Sequence, residues 1–171
     1  MNTSVPMDSQ ASSVEESSFG WFFETHYRPL CQALCLLTGD PLEAEDLAQE
    51  AMTRTLERWE RIASMDSPGG YVYRTAMNLN RKRIRRILVR ARRPIVDEAT
   101  ADHSAGVGDR QDIRRALASI PPGEREALVL VDWLQMNAEE AGHVLEIAPG
   151  SVRVRVHRAR AKLREELGDR A

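Results

Sequence analysis

The sequence has few of the residues and segments on which several protein classes depend. Only 2 of its 171 residues are cysteine, Cys31 and Cys35. They lie one helical turn apart, which is a rare disulfide geometry, so we expect free, buried thiols in a reducing compartment. No apolar run approaches the roughly 20 residues needed to cross a bilayer. The N-terminus also lacks the basic and apolar segments of a secretory signal. These absences favour a cytoplasmic protein with no membrane partner.

Residues that carry catalysis or bind metals are scattered along the chain. The four histidines are His26, His103, His143 and His157. None stands with a carboxylate and a nucleophile at an informative spacing, and His26 with the two cysteines does not match a usual zinc spacing. Strand-like alternation and internal repeats are not found either. We therefore expect an all-α protein that is not an enzyme and needs no metal or cofactor.

Charge is what the sequence distributes most unevenly. The net charge is only -2, but residues 51–95 hold 12 basic and 3 acidic residues, and residues 151–171 hold 7 and 3. Residues 1–50 hold 1 basic and 9 acidic residues, and residues 96–150 hold 4 and 11. Two separated basic blocks predict two places where a polyanion is bound, and the acidic blocks predict surfaces for a different partner.

Helical periodicity and its interruptions predict two small helical domains. Residues 1–17 are rich in serine and acidic residues and read as a disordered tail. Residues 18–93 form the first domain, and residues 94–110 form a flexible acidic linker. Residues 111–168 form the second domain, with helices predicted at 111–119, 121–134, 138–145 and 149–167.

The first domain reads as three helices. The first helix is predicted to bury a face that includes Phe19, Phe23, Tyr27, Leu30, Leu34 and Leu37. Asp40 is the expected N-cap of the second helix, with Pro41 in its first turn. This helix is predicted to run to about Trp59, to bury Leu56 and to expose Asp46, Gln49 and Glu50. The third helix begins near Tyr71 and ends in a run of arginines.

The C-terminal segment reads as a helix-turn-helix. Asn137 and Glu140 stand at the spacing of a capping box, and Pro149 suits the first turn of the next helix. In that second helix Val152, Val156, Ala159 and Leu163 form a buried stripe, which leaves the arginines pointing outward. A basic helix of this kind commonly enters the major groove of DNA, although a solvated basic face is the plainer interpretation.

Three segments together resemble a known family. They are EAEDLAQEAMTRTLERW, GGYVYRTAMNLNRKRIRR, and IPPGEREALVL followed by SVRVRVHRARAKLRE. In this order and spacing the chain, over about residues 19–168, resembles bacterial sigma factors of the extracytoplasmic-function group, which keep only conserved regions two and four. The resemblance implies a subunit that binds core RNA polymerase and directs promoter-specific transcription initiation. Promoter DNA and, commonly, an anti-sigma factor are the other implied partners.

The resemblance also implies roles for particular residues. The beta-prime clamp helices of the polymerase would bind Asp46, Gln49 and Glu50, and its beta flap would be a further contact. The minus-ten element would be recognised and melted by Tyr73, Asn78, Arg81, Lys82, Arg85 and Arg86. The minus-thirty-five element would be read by Arg153, Val154, His157 and Arg158, with Arg155 and Arg160 on phosphates.

Some positions depart from the family pattern. Lys82 stands where the family often has aspartate, Val154 replaces a small polar residue, and Glu146 stands where a glycine usually makes the turn. Tyr73 is equally compatible with core packing, because tyrosines often bury the ring and leave only the hydroxyl exposed to solvent. Two alternative functions remain open: a stand-alone helix-turn-helix regulator, which needs only the second domain, and an adaptor that uses its acidic faces and binds no DNA.

Overall fold

The computed structural model describes residues 8–91 and 108–168, with side chains described from Ser18 and from Ile113 onward. These residues form α-helices and one π-helical turn, with no strand among them, so the predicted all-α fold is confirmed. The helices are α1 (Asp8–Thr38), α2 (Pro41–Leu56), α3 (Trp59–Ala63), α4 (Pro68–Ala91), α5 (Gly108–Ser119), α6 (Pro122–Leu128), α7 (Ala138–Leu145) and α8 (Pro149–Gly168). None of the described helices is long and apolar enough to cross a membrane.

The first helical unit packs α1, α2 and α4 around one core, with α3 at its end. Gly39, at a φ of 73°, reverses the chain after α1. The Asp40 carboxylate then accepts hydrogen bonds from the backbone N–H groups of Leu42 and Glu43, at 2.9 and 3.4 Å. The predicted N-cap is therefore confirmed. The core comprises Phe22, Leu30, Leu34, Ala48, Met52, Trp59, Ile62, Val72 and Met77, all buried.

Three local predictions for this unit are corrected by the structure. Helix α1 begins at Asp8, within the segment predicted as a disordered tail. Phe22, not Phe23, fills the core, while Phe23 stacks on Tyr27 at the surface. Leu56 is 51% exposed, because α2 ends there and the following turn brings Trp59 inward instead.

The second helical unit comprises α5 to α8, with the π-helical turn Val129–Trp133 between α6 and α7. Helix α8 packs against α5, α6 and α7 and buries Val152, Val156 and Ala159, as predicted, while Leu163, also predicted to be buried, is half-buried. The predicted boundaries of the last two helices are confirmed to within one residue. The predicted linker, residues 94–110, lies outside the described residues except for its last three, which begin α5.

Arg125 joins the two helical units through backbone carbonyls. Its Nη1 donates to the Leu37 carbonyl at 3.0 Å, in the last turn of α1. Its Nη2 donates to the Ala118 and Ile120 carbonyls, at 3.2 and 2.9 Å, at the end of α5. Carbonyls in the last turn of a helix lack intrahelical partners and carry partial negative charge, so a cation stabilises both helix ends at once. Burial lowers the pKa of Arg125 from its ordinary value.

Candidate nucleic-acid interface

The helix-turn-helix at the C-terminus is fixed by local contacts at each end of α7. The Asn137 side chain accepts from the Glu140 N–H at 2.9 Å, and the Glu140 carboxylate accepts from the Asn137 N–H at 2.8 Å. The predicted capping box is thereby confirmed. At the other end Glu146 adopts the left-handed conformation, with φ 58° and ψ 42°. That conformation is the one for which glycine is favoured, so Glu146 strains the turn without preventing it.

Gly142 brings the two helices of the motif into close approach. A Cβ atom at this position would lie 2.8 Å from the Ile147 carbonyl oxygen, which is closer than real Cβ contacts. The backbone after α7 therefore crosses directly over the glycine. Pro149 then begins α8, as predicted. This crossing holds α8 at the surface of the second unit.

Helix α8 presents three different faces. With about 100° between successive residues, Val154 lies nearly opposite the buried stripe, and His157 and Arg158 lie roughly 50° to either side of that direction. All three side chains are exposed, and that of Val154 is 50% exposed. Arg153 and Arg160 lie on one flank of the helix, and Arg155 lies on the other. The outermost positions, which a groove would receive first, are thus Val154, His157 and Arg158.

The arginines on the flank of α8 are paired with carboxylates of their own unit. Arg160 donates from Nε and Nη2 to the two oxygens of Asp132, at 2.9 and 2.6 Å. Hydrogen bonding to Asp132 raises the pKa of Arg160 above its ordinary value. Arg153 donates from Nη2 to Glu139 at 2.9 Å. These partners, 28 and 14 residues away in sequence, give no periodic signal, so the sequence did not reveal them.

The basic helix α4 divides its charges between an exposed face and a covered one. Lys82, Arg85 and Arg86 are exposed, as a phosphate-binding role requires. Arg83 is ion-paired with Glu43 on α2 and half-buried, and this burial lowers its pKa. Two of the basic side chains of α4 point elsewhere, toward the second helical unit.

Arg74, Asn78 and Arg81 share the covered face of α4, because they are four and three residues apart. Arg81 donates three hydrogen bonds, at 2.7 to 3.2 Å, to the Glu126 carboxylate of α6. The Glu126 side chain is only 3% exposed, and that of Arg81 is 30% exposed. Arg74 also pairs with Glu146 at 3.6 Å. Asn78, which lies between them on this face, is half-buried.

Tyr73, expected to contact the minus-ten element, is instead a core residue. Its side chain is 6% exposed, and burial raises its pKa to about 12. The ring lies 6.0 Å, edge-on, from His26, whose pKa is lowered by burial. His26 in turn packs on Gly69, where a Cβ would lie 2.9 Å from its ring. The ring of Tyr73 therefore packs against His26 in the core near the start of α4, and it is not available to a DNA base.

The acidic face of α2 is exposed as predicted and is less polar than expected. Asp46, Gln49 and Glu50 are all exposed, and Glu50 accepts a hydrogen bond from Arg54. Leu42 and Leu56, 66% and 51% exposed, lie on the same face at either end of this patch. Leu42 is four residues from Asp46 and Leu56 is seven residues from Gln49, so the sequence itself places them on one face of α2, although its apolar stripe predicts a buried Leu56. The face can therefore offer apolar as well as charged contacts.

Comparisons with known proteins agree along both helical units. The family model for Sigma-70 region 2 matches residues 22–88, and that for Sigma-70, region 4 matches residues 110–163. The chain is 32% identical over 158 residues to the RNA polymerase sigma-E factor of Streptomyces avermitilis, covering 91% of this chain and 88% of that one. It is 34% identical over 145 residues to the ECF RNA polymerase sigma factor SigE of Mycolicibacterium smegmatis, covering 77% and 54%.

A similar fold is found among solved structures. The sigma factor RpoE of Bartonella quintana, solved in complex with the anti-sigma factor NepR, superimposes with a TM-score of 0.75 at 23% identity. The superposition covers 90% of this chain and 99% of the other. At this identity the likeness establishes the shared fold.

Proposed function

The chain belongs to the sigma-70 family, within its extracytoplasmic-function group, and we propose that its two helical units divide promoter recognition between them. It is a sigma factor that directs promoter-specific transcription initiation. In this proposal residues 18–93 bind core RNA polymerase and the minus-ten element, and residues 111–168 bind the minus-thirty-five element. The protein acts in the cytoplasm and lends specificity to the polymerase without being an enzyme itself.

The observation that carries this assignment is the extent of the similarity. The sigma-E relative matches over 91% of the chain, so it includes α1 to α4 as well as the helix-turn-helix. A stand-alone helix-turn-helix regulator needs only the second unit. It would leave unexplained the exposed acidic face of α2 and the basic face of α4. The sigma factor accounts for all three surfaces.

The exposed face of α2 is the proposed contact for the beta-prime clamp helices of the polymerase. Asp46 and Glu50 provide charge, and Gln49 provides a donor and an acceptor. Leu42 and Leu56 flank them with exposed apolar surface. Apolar contacts supply affinity, while complementary charge speeds association and selects the partner. The beta flap is the proposed contact of the second unit.

The exposed cations of α4 are the proposed contacts for the separated minus-ten strand. Lys82, Arg85 and Arg86 can bind phosphates in the closed arrangement that the structure shows. Arg81 and Asn78 reach the strand only after the second unit moves away, because Glu126 holds Arg81. Opening of the interface between the units is therefore part of the proposed mechanism. An anti-sigma factor, the kind of partner bound by the Bartonella relative, would hold the protein in an inactive state.

The outward face of α8 is the proposed reader of the minus-thirty-five element. Arg158 can donate two hydrogen bonds to a guanine edge, a contact that contributes roughly 1–3 kcal/mol of discrimination. Val154 offers a methyl-sized apolar surface suited to a thymine methyl group. His157 lies on the same outward face and can also reach a base edge, while Arg155 lies on a flank and suits phosphate or sugar contacts.

The test is transcription by core polymerase supplied with this chain, on a library of random promoters. The chain should form a complex with core and yield transcripts from one class of promoter. A variant with Asp46, Gln49 and Glu50 changed to alanine should lose both activities. A matched control, Glu24→Ala with Glu60→Ala, removes two exposed carboxylates elsewhere on the first unit and should retain them. Specific duplex binding without any association with core would instead identify a stand-alone regulator.

A further inference from the structure

Asp132 stands at the edge of the proposed DNA-reading helix without belonging to it. Its carboxylate holds the Arg160 guanidinium with two parallel hydrogen bonds, at 2.9 and 2.6 Å. We propose that Asp132 is a positioning residue that sets the selectivity of minus-thirty-five recognition by fixing Arg160. The inference rests on the proposed function and adds to it a residue outside α8.

The pairing leaves part of Arg160 available to DNA. A guanidinium has five N–H donors, and Asp132 occupies one on Nε and one on Nη2. Both N–H groups of Nη1 and the second of Nη2 remain for a base edge or a phosphate. Two-point pairing of this kind fixes the plane of the guanidinium, which a single ion pair does not. Arg160 is thus presented to DNA in one orientation.

The backbone that carries Asp132 is itself held firmly. Asp132 lies in the π-helical turn Val129–Trp133, in which the Leu134 N–H bonds to the Val129 carbonyl at 3.0 Å. Gln135, in the left-handed region at a φ of 57°, donates from its side chain to the Asp132 carbonyl at 2.6 Å. Such π-helical turns are rare and occur often at functional sites. Here the turn places a carboxylate beside the middle of α8.

A second carboxylate repeats the arrangement two helical turns away. Glu139, near the start of α7, accepts from Arg153 at 2.9 Å. Arg153 and Arg160 are seven residues apart and lie on the same flank of α8. Each of these flanking cations is therefore matched by a carboxylate of the scaffold. Val154 and Arg158, on the outward face, are not engaged by either carboxylate.

This arrangement has opposite effects on the two kinds of DNA binding. A mobile arginine can neutralise a phosphate on any sequence, which strengthens nonspecific binding. A fixed arginine beside a carboxylate binds an arbitrary phosphate less strongly, because the carboxylate repels the phosphate. At a matching site the fixed arginine loses little conformational freedom on binding. Asp132 thereby raises the ratio of specific to nonspecific affinity.

The experiment compares wild type with Asp132→Asn in holoenzyme assembled on core polymerase. The template is a promoter library with a fixed minus-ten element and a randomised minus-thirty-five element. We expect the preference for the best minus-thirty-five sequences over the median to fall about threefold to tenfold, as the loss of one partly exposed two-point pair implies. Nonspecific duplex binding by the full chain should also become steeper in salt, by about one phosphate. Helical circular dichroism and the urea midpoint of the full chain, measured in parallel, report whether the second unit of the variant is folded.

Three further variants separate positioning from charge and from stability. Glu124→Gln removes a carboxylate on α6 that pairs with no side chain in the described residues, and it should leave the preference unchanged. Arg160→Lys keeps the charge but cannot form the two-point pair, so it should reproduce Asp132→Asn. In an Arg160→Gln background Asp132→Asn should have no further effect. An unchanged preference in Asp132→Asn, or an equal change in Glu124→Gln, would overturn the inference alone. Failure of the wild-type chain to initiate would overturn the proposed function as well.

Discussion

Arg81 of the first helical unit pairs with the buried Glu126 of the second, and Glu126→Gln should weaken the interface between the units. The carboxylate accepts three hydrogen bonds from one guanidinium in a site where its side chain is 3% exposed. Glutamine has the same shape but only one acceptor oxygen, and its amide group would face a cation. Hydrogen bonds to charged groups contribute about 1.5–3 kcal/mol each. Since Arg81 is 30% exposed and can turn toward water, we take the loss as about 2 kcal/mol at the low end of this range.

A loss of about 2 kcal/mol multiplies the open population by roughly 30. If only a small fraction of the free chain is open, the apparent dissociation constant falls in proportion to the increase in that fraction. A single-stranded oligonucleotide carrying the minus-ten sequence should therefore bind Glu126→Gln more tightly than wild type, by at most about 30-fold, since Lys82, Arg85 and Arg86 already bind phosphates in the closed form. Fluorescence anisotropy of a labelled oligonucleotide measures this affinity directly.

The control for the change in net charge is Glu124→Gln, two residues away on the same helix. It removes one negative charge without touching Arg81, so any general gain in DNA affinity should appear in it too. Equal affinities of the two variants for the oligonucleotide would refute the reasoning. They would mean either that the interface does not limit access to α4, or that Arg81 contributes nothing to its closure.

Three further predictions concern the turn of the DNA-binding motif and the core below α4. Glu146→Gly should raise the free energy of unfolding by about 0.5–1 kcal/mol, because glycine adopts the left-handed conformation without a Cβ penalty. The ion pair with Arg74 that is also lost is well exposed and contributes little. The urea midpoint should rise, and no rise would contradict the strain argument. Gly142→Ala should lower the free energy of unfolding by about 1–3 kcal/mol, since the new Cβ meets the Ile147 carbonyl at 2.8 Å; an unchanged urea midpoint would show that the turn yields. Tyr73 should ionise near pH 12 in an ultraviolet titration, and Tyr73→Phe should lose this phase. Because its folded pKa is raised, the contribution of Tyr73 to stability is complete below pH 10 and is lost between about pH 10 and 12, so alkaline unfolding should be less steep in Tyr73→Phe.

The features that the sequence predicted correctly are contacts between residues that are close together along the chain. The N-cap at Asp40, the capping box of Asn137 and Glu140 and the start of α8 at Pro149 each involve residues within a single turn. Such contacts follow from backbone geometry alone, and all are confirmed.

The errors concern side chains whose environment is set by distant parts of the chain. Leu56 fits an apolar stripe, but the end of α2 turns it outward. Tyr73 fits a DNA-contacting role by its position in α4, yet α1 covers its ring through His26. Glu126 is 45 residues from Arg81, and no periodicity relates two positions on separate helices. Helix caps formed within a single turn were therefore predictable, whereas the pairing of charges across helices was not.

The contact that Arg125 makes between the two units does not depend on the identity of the residue that accepts it. The acceptor on α1 is the backbone carbonyl of residue Leu37. Every amino acid has such a carbonyl, so a substitution at this position does not remove the hydrogen bond. When the units part, Arg125 keeps the Ala118 and Ile120 carbonyls of its own unit and exchanges only one partner for water. The contact between the units can therefore open and close without leaving the Arg125 guanidinium unpaired.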